Sequence, residues 1–148
     1  MSKNKAQILI VDDEIYIQEI LKSTLENAGY DCVAVSTAES ALTVLASQDF
    51  DIALSDIRMP GKQETELLQE IKKGYPEVVV LLITAIDNAS TAIESMHLGA
   101  YDYIVEPFNL DQVLISVNRA LDKRRLENAS RDYQKYLQRI AEESSAET

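Results

Sequence analysis

Five short, mostly apolar runs recur along this chain, each separated from the next by a stretch with helical periodicity. The runs are Gln7–Val11, Cys32–Val35, Ile52–Ser55, Val78–Ile83 and Tyr103–Val105. Runs of this length bounded by turn residues read as strands. Val78–Ile83, apolar throughout, reads as a strand covered on both faces. Between them, the segment from Ile15 to Ala28 places Ile17, Ile20, Leu21, Leu25 and Ala28 on one helical face, with Gly29 as a left-handed cap. Ser36 and Thr37 can cap a helix carrying Ala38, Ala41, Leu42 and Leu45. A helix from about Glu64 to Lys73 buries Leu67, Leu68 and Ile71 and is stopped by Gly74, Tyr75 and Pro76. Ser90 to Leu98 forms a fourth helix, ended by Gly99. A fifth starts at Leu110, carries Val113, Leu114, Val117, Ala120 and Leu121, and meets no breaker until about Glu143. Such alternation specifies an α/β fold: a doubly wound parallel sheet of five strands, joined by right-handed crossovers, with helices on both faces.

In open sheets of this kind, ligands sit beyond the carboxyl ends of the strands, where the winding reverses. Polar residues collect at that end here. Asp12 and Asp13 follow the first strand, Asp56 the third, Thr84 the fourth and Glu106 the fifth. Carboxylates at the tips of apolar strands are costly unless a cation or hydrogen bonds satisfy them, so several on one rim point to a single site. Taken singly, each has a plainer role. Asp12, Asp13 and Thr84 can cap helices, and Asp56 can open a turn before Pro60. Their convergence at one edge is what favours a site.

Net charge is −11, which argues against a nucleic-acid footprint within this chain. Cys32 is the single cysteine, so no internal disulfide can form; it reads as a small buried hydrophobe. No apolar run approaches membrane-spanning length, and the opening residues lead into a strand rather than a signal peptide, so a reducing cytoplasm is the expected setting. His97 has no second histidine or cysteine cluster beside it and reads as a surface or packing residue.

Four motifs now stand in order: Ile8-Leu-Ile-Val-Asp-Asp-Glu14, Asp56-Ile-Arg-Met-Pro-Gly61, Leu82-Ile-Thr-Ala85 and Gly99-Ala-Tyr-Asp-Tyr-Ile-Val-Glu-Pro-Phe108. From Ala6 to about Leu121 the chain resembles the receiver domain of two-component response regulators. The resemblance implies a flavodoxin-like sheet of order 2-1-3-4-5. It implies that Asp56 accepts a phosphoryl group from a sensor histidine kinase or phosphotransfer protein. It implies Mg²⁺ held by Asp13 and Asp56 with the backbone carbonyl of Arg58, and with Asp12 acting largely through water. Thr84 would then hydrogen-bond the phosphoryl oxygen, Tyr103 would be the aromatic that turns inward on activation, and the Glu106–Pro107 bond would be cis.

The family carries lysine where this chain has Glu106. Three outcomes are open: Glu106 turns to solvent or to a basic neighbour such as Arg58 or Lys62, shares a proton with another acid, or helps bind the metal. The first is favoured. After Gly61 the chain continues Lys62-Gln63-Glu64 in place of the family's frequent Met-Asp-Gly, which puts the loop shape in question and not the acceptor.

Residues 1–121 are thus expected to form the receiver and 122–148 a helical extension, disordered from Ser144. Leu126, Tyr133, Leu137 and Ile140 fall on one stripe, which suits either a dimerising or linker helix or a solvated extension. A second copy of this chain and an effector domain beyond residue 148 are the candidate partners besides the kinase. The expected function is a phosphorylation-dependent signalling module, not an enzyme in its own right. The alternatives are a degenerate receiver acting as a constitutive interaction or dimerisation domain and, ranked lower, a small metal-dependent phosphatase, for which a separate nucleophile and general-acid pair is lacking.

Overall fold

Alternation within each apolar run decides which face of the sheet it feeds. In the computed structural model, which describes residues 5–57, 65–85 and 89–147, the elements are β1 (Gln7–Val11), α1 (Ile15–Asn27), β2 (Asp31–Val35), α2 (Ala38–Ser47), β3 (Ile52–Asp56), α3 (Glu66–Gly74), β4 (Val79–Ala85), α4 (Ala89–His97), β5 (Asp102–Glu106) and α5 (Leu110–Glu147). The strands are all parallel, in the expected order β2-β1-β3-β4-β5. Leu9, Val11, Ala53, Val80 and Leu82 face a core closed by Ala41 and Leu45 of α2 and Leu67, Leu68 and Ile71 of α3. Ile8, Ile10, Ile52, Leu54, Leu81, Ile83 and Ile104 face a second core closed by Leu21 and Leu25 of α1 and Val113 and Val117 of α5. Each large aliphatic side chain so buried contributes about 1.5–3 kcal/mol, so a charged residue at Ile10 or Leu81 would undo the sheet.

The helix ends obey local chemistry. Gly29 and Gly99 take positive φ, at 101° and 111°, after α1 and α4. Thr37, rather than Ser36, caps α2 by accepting from the Ser40 N–H. Several boundaries differ from expectation by a residue or two; β2 starts at Asp31 and β5 runs from Asp102 to Glu106. α3 begins at Glu66, and Glu64 lies outside the described residues. β4 continues through Thr84 and Ala85, because pairing with Val105 and Glu106 of β5 extends the ladder. Cys32 is buried as expected, and burial pushes its thiol up to about 12, leaving it unreactive at neutral pH. Among the described residues no helix is long and apolar enough to cross a membrane.

α5 runs unbroken past Leu121 to Glu147, through the stretch from Ser144 for which disorder is the sequence expectation; the side chains there lie outside the described residues. Its first turns beyond Leu121 are tied to the amino-terminal edge of the sheet. Arg124 Nε donates to Asp51 Oδ1 at 2.8 Å, and its guanidinium also donates to the Glu77 carbonyl. Asp51 Oδ2 accepts from the Gln7 N–H at 2.9 Å, so one carboxylate joins the start of β1 to α5. Arg131 reaches the Glu77 carboxylate. Leu126, Tyr133, Leu137 and Ile140 are exposed. Arg124→Ala should lower stability by about 1–2 kcal/mol, the scale of a charge-assisted hydrogen bond at a partly exposed site. Arg124→Lys should restore it only in part, because a compact ammonium lacks the planar, widely spaced donors with which the guanidinium spans Asp51 and Glu77. Urea unfolding midpoints check both.

Candidate metal centre

The strand register carries the polar tips to one edge. Val11 stands level with Val35 on β2 and Ser55 on β3, so Asp12 and Asp56, each one residue further on, emerge beside one another. Asp56 is level with Ile83, which places Thr84 one step beyond it on β4. Carboxylate oxygens of Asp12, Asp13 and Asp56 all lie within 4.8 Å of one another. The three sit on a burial gradient: Asp12 is 2 % exposed, Asp56 half-buried and Asp13 exposed, so the cluster is closed beneath and open to water above.

Asp12 is held on both sides of its Cα. Its N–H donates to the Val35 carbonyl at 3.1 Å, and its carbonyl accepts from Gln18 Nε2 at 2.6 Å. Its Oδ1 accepts from the Glu14 N–H at 2.8 Å. Burial pushes the Asp12 carboxyl up to about 6. Neighbouring Asp56, Asp13 and Glu14 act in the same direction, and the Glu14 N–H opposes them.

Asp12 holds its proton more tightly folded than unfolded, so its ionisation costs stability above pH 6 and costs nothing below about pH 4. Asp12→Asn should therefore stabilise the metal-free protein at pH 7.5 by about 1–3 kcal/mol. It should also flatten the stability profile between pH 4 and 6, where the unsubstituted protein gains stability on acidification. Thermal melts across that range in chelator check this.

The donor set suits a hard divalent cation. All three groups offer oxygen, they converge despite mutual repulsion, and the open side leaves room for the waters that Mg²⁺ retains. Arg58, whose carbonyl the family pattern adds as a ligand, lies outside the described residues, as do Pro60, Gly61 and Lys62.

The remaining expected residues lie on β4 and β5. Thr84 is buried, its hydroxyl donating to the Ala85 carbonyl at 3.3 Å. Tyr103 stands on β5, on the face opposite Ile104, with 36 % of its surface exposed. Glu106 ends β5 opposite Ala85, and the Glu106–Pro107 bond is cis as expected. Glu106 is half-buried rather than turned fully to water, and it is not among the three clustered acids. Burial, aided by the nearby Glu14 carboxylate, raises its pKa. Of the outcomes open for Glu106, direct membership of the acidic cluster is the one this geometry disfavours.

One residue of the site escapes a reading of polar strand tips. Gln18 is buried on α1, and its amide touches three oxygens of the pocket's floor. Its signal in the sequence is spacing: Gln18, Leu21 and Leu25 recur at i, i+3 and i+7, so a polar group occupies the buried stripe.

A profile of the Response regulator receiver domain family matches residues 8–118. The chain is 42% identical over 114 residues to the Response regulator protein FleR of Pseudomonas aeruginosa, covering 77% of this chain and 24% of that protein. It is 36% identical over 114 residues to the DNA-binding transcriptional regulator NtrC of Salmonella typhimurium, again covering 77% and 24%. The chain thus spans about a quarter of the length of these curated relatives. Among solved structures, NtrX from Brucella abortus in complex with ADP superposes with a TM-score of 0.83 at 33% identity, over 86% of this chain and 30% of that one. A response regulator receiver domain protein from Clostridium thermocellum superposes at 0.78 with 29% identity, over 82% and 98%.

Proposed function

The chain belongs to the response regulator receiver domain family, a family of signalling domains, and from that premise we propose that Asp56 is its phosphoacceptor. The observation that carries this reading is the convergence of Asp12, Asp13 and Asp56 within 4.8 Å at the carboxyl edge of the sheet. Asp13 and Asp56 would hold Mg²⁺ together with the Arg58 carbonyl, with Asp12 bound through water. The ion would cancel the charge that otherwise keeps a carboxylate from a phosphoryl group. A phosphohistidine on a sensor histidine kinase or phosphotransfer protein is the donor. An Asp56 oxygen attacks phosphorus, the new O–P bond forms as the P–N bond breaks, and the imidazole nitrogen keeps the electron pair. Thr84 turns its hydroxyl from the Ala85 carbonyl to a phosphoryl oxygen, a movement on the scale of a rotamer change. Tyr103, exposed on the edge strand β5, turns inward and remodels the face formed by α4, β5 and α5. Phosphorylation acts by favouring one of two conformers.

The output lies beyond residue 148, with residues 122–148 as the connecting helix. NtrC is named as a DNA-binding transcriptional regulator, and this chain spans only about a quarter of it. We place the module in the cytoplasm with its kinase partner.

Incubation with a small-molecule acyl phosphate and Mg²⁺ tests the reading. The intact mass should gain one phosphoryl group, and chelation should prevent it. A chain that neither binds Mg²⁺ nor gains mass is instead a constitutive interaction or dimerisation domain. Half-buried Glu106, placed where the family has its lysine, is the observation that favours this second reading.

A further inference from the structure

The acids of the pocket are held together against their own repulsion, and the structure contains a device suited to that task. Gln18 projects from the first turns of α1 toward the carboxyl ends of β1 and β2, where it is buried. Its Nε2 lies 2.6 Å from the Asp12 carbonyl, 3.1 Å from the Val35 carbonyl and 2.8 Å from Ser36 Oγ. Two N–H bonds are thus shared among three oxygens, one at the tip of β1 and two at the tip of β2. Asp12 also donates its own N–H to Val35. Both peptide groups of Asp12 are therefore fixed, and with them the direction of its Cα–Cβ bond.

We propose that Gln18 is a positioning residue for the divalent-cation site: its amide straps the carboxyl ends of β1 and β2 and aims the Asp12 carboxylate into the pocket. This rests on the reading of the pocket as a metal centre. The argument is one of preorganisation. Asp12, Asp13 and Asp56 repel one another in the absence of a cation, and the peptide following Val11 can relieve that repulsion by rotating Asp12 away. The rotation would break the shortest of the Gln18 hydrogen bonds and leave a carbonyl without its donor in a buried place. Hydrogen bonds behind a metal's direct ligands commonly matter 10- to 100-fold in metal affinity, because they settle where a ligand points before the ion arrives; since Asp12 reaches the ion through water, the low end of that range applies to Gln18. Packing alone does not call for an amide here: its neighbours on the same stripe, Leu21 and Leu25, are fully buried hydrophobes.

Binding of Mn²⁺ to the full chain, read from the loss of the free-ion electron paramagnetic resonance signal, tests the proposal without any phosphoryl transfer. Gln18→Leu should weaken binding roughly ten-fold. Leu45→Ala, which loosens α2 away from the pocket, should destabilise the fold yet leave the affinity within two-fold. If Gln18→Leu does not fold, Gln18→Asn, whose amide is withdrawn from the Asp12 carbonyl, takes its place with the same expectation. Affinity unchanged in the folded Gln18 variant, or lost equally in Leu45→Ala, overturns the proposal. Failure of the unsubstituted chain to bind Mn²⁺ overturns the metal-centre reading and this proposal with it.

Discussion

Asp56→Asn should reduce phosphoryl incorporation to background while leaving the fold intact. The carboxylate at this position is the proposed nucleophile, and a neutral amide oxygen attacks phosphorus far more weakly. The replacement is nearly isosteric, and the backbone pairing of Asp56 with Ile83 does not depend on the side chain. Two further readings separate loss of the nucleophile from general damage. First, removal of one negative charge beside Asp12 should let the Asp12 carboxyl fall back from about 6, so the metal-free variant should be more stable at neutral pH than the unsubstituted chain. Second, Asp13→Asn keeps the nucleophile and weakens only the cation site, so it should slow incorporation without abolishing it at high Mg²⁺. The product in the unsubstituted chain should be an acyl phosphate, labile to hydroxylamine. Incorporation that persists in Asp56→Asn would mean that the acceptor is elsewhere, and the burial gradient across the three acids would need another explanation.

The parts of this architecture that were legible beforehand are those written in contiguous residues. Val78 to Ile83 read as a strand covered on both faces, because no polar residue interrupts it, and β4 is flanked by β3 and β5. Gly29 and Gly99 marked helix ends because positive φ there needs no Cβ. Asp12, Asp13 and Asp56 announced a site because charge at strand tips is expensive without a partner. What stayed hidden depends on residues distant along the chain. Gln18 finds its acceptors at Val35 and Ser36, and only the β1–β2 pairing brings those oxygens to α1. Arg124 and Arg131 lay in a polar stretch read as a linker or solvated extension. Their partners, Asp51 and Glu77, come from the far side of the sheet, and so the helix is anchored where composition alone suggested a free one. The start of α3 was also poorly marked, since Thr65 precedes it without a side-chain cap.

Glu106→Lys should raise the rate of phosphorylation by the small-molecule donor about ten-fold or more. Glu106 ends β5 opposite Ala85, the neighbour of Thr84, so it borders the pocket proposed to take up a phosphoryl group. Its raised pKa reflects burial first and the Glu14 carboxylate second, which means that the negative form is unwelcome there even before phosphate arrives. A unit charge acting over roughly 7 Å at an effective dielectric of 20 is worth about 2 kcal/mol. Removing a repulsive charge and adding an attractive one exceeds that, and the part which survives solvent screening suffices for about a ten-fold change in rate. Glu106→Gln removes the charge without supplying a donor and should fall between the two. The linkage runs in the same direction: a carboxyl with a raised folded-state pKa costs stability above that pKa, so both variants should be more stable than the unsubstituted chain at pH 7.5, and the advantage should vanish on acidification. A lysine variant that is phosphorylated no faster, yet gains the predicted stability, would show that the carboxylate is compensated during the reaction, for example by a cationic group of the partner kinase. A chain that is phosphorylated only after Glu106→Lys would place the natural sequence among receivers that work without phosphate.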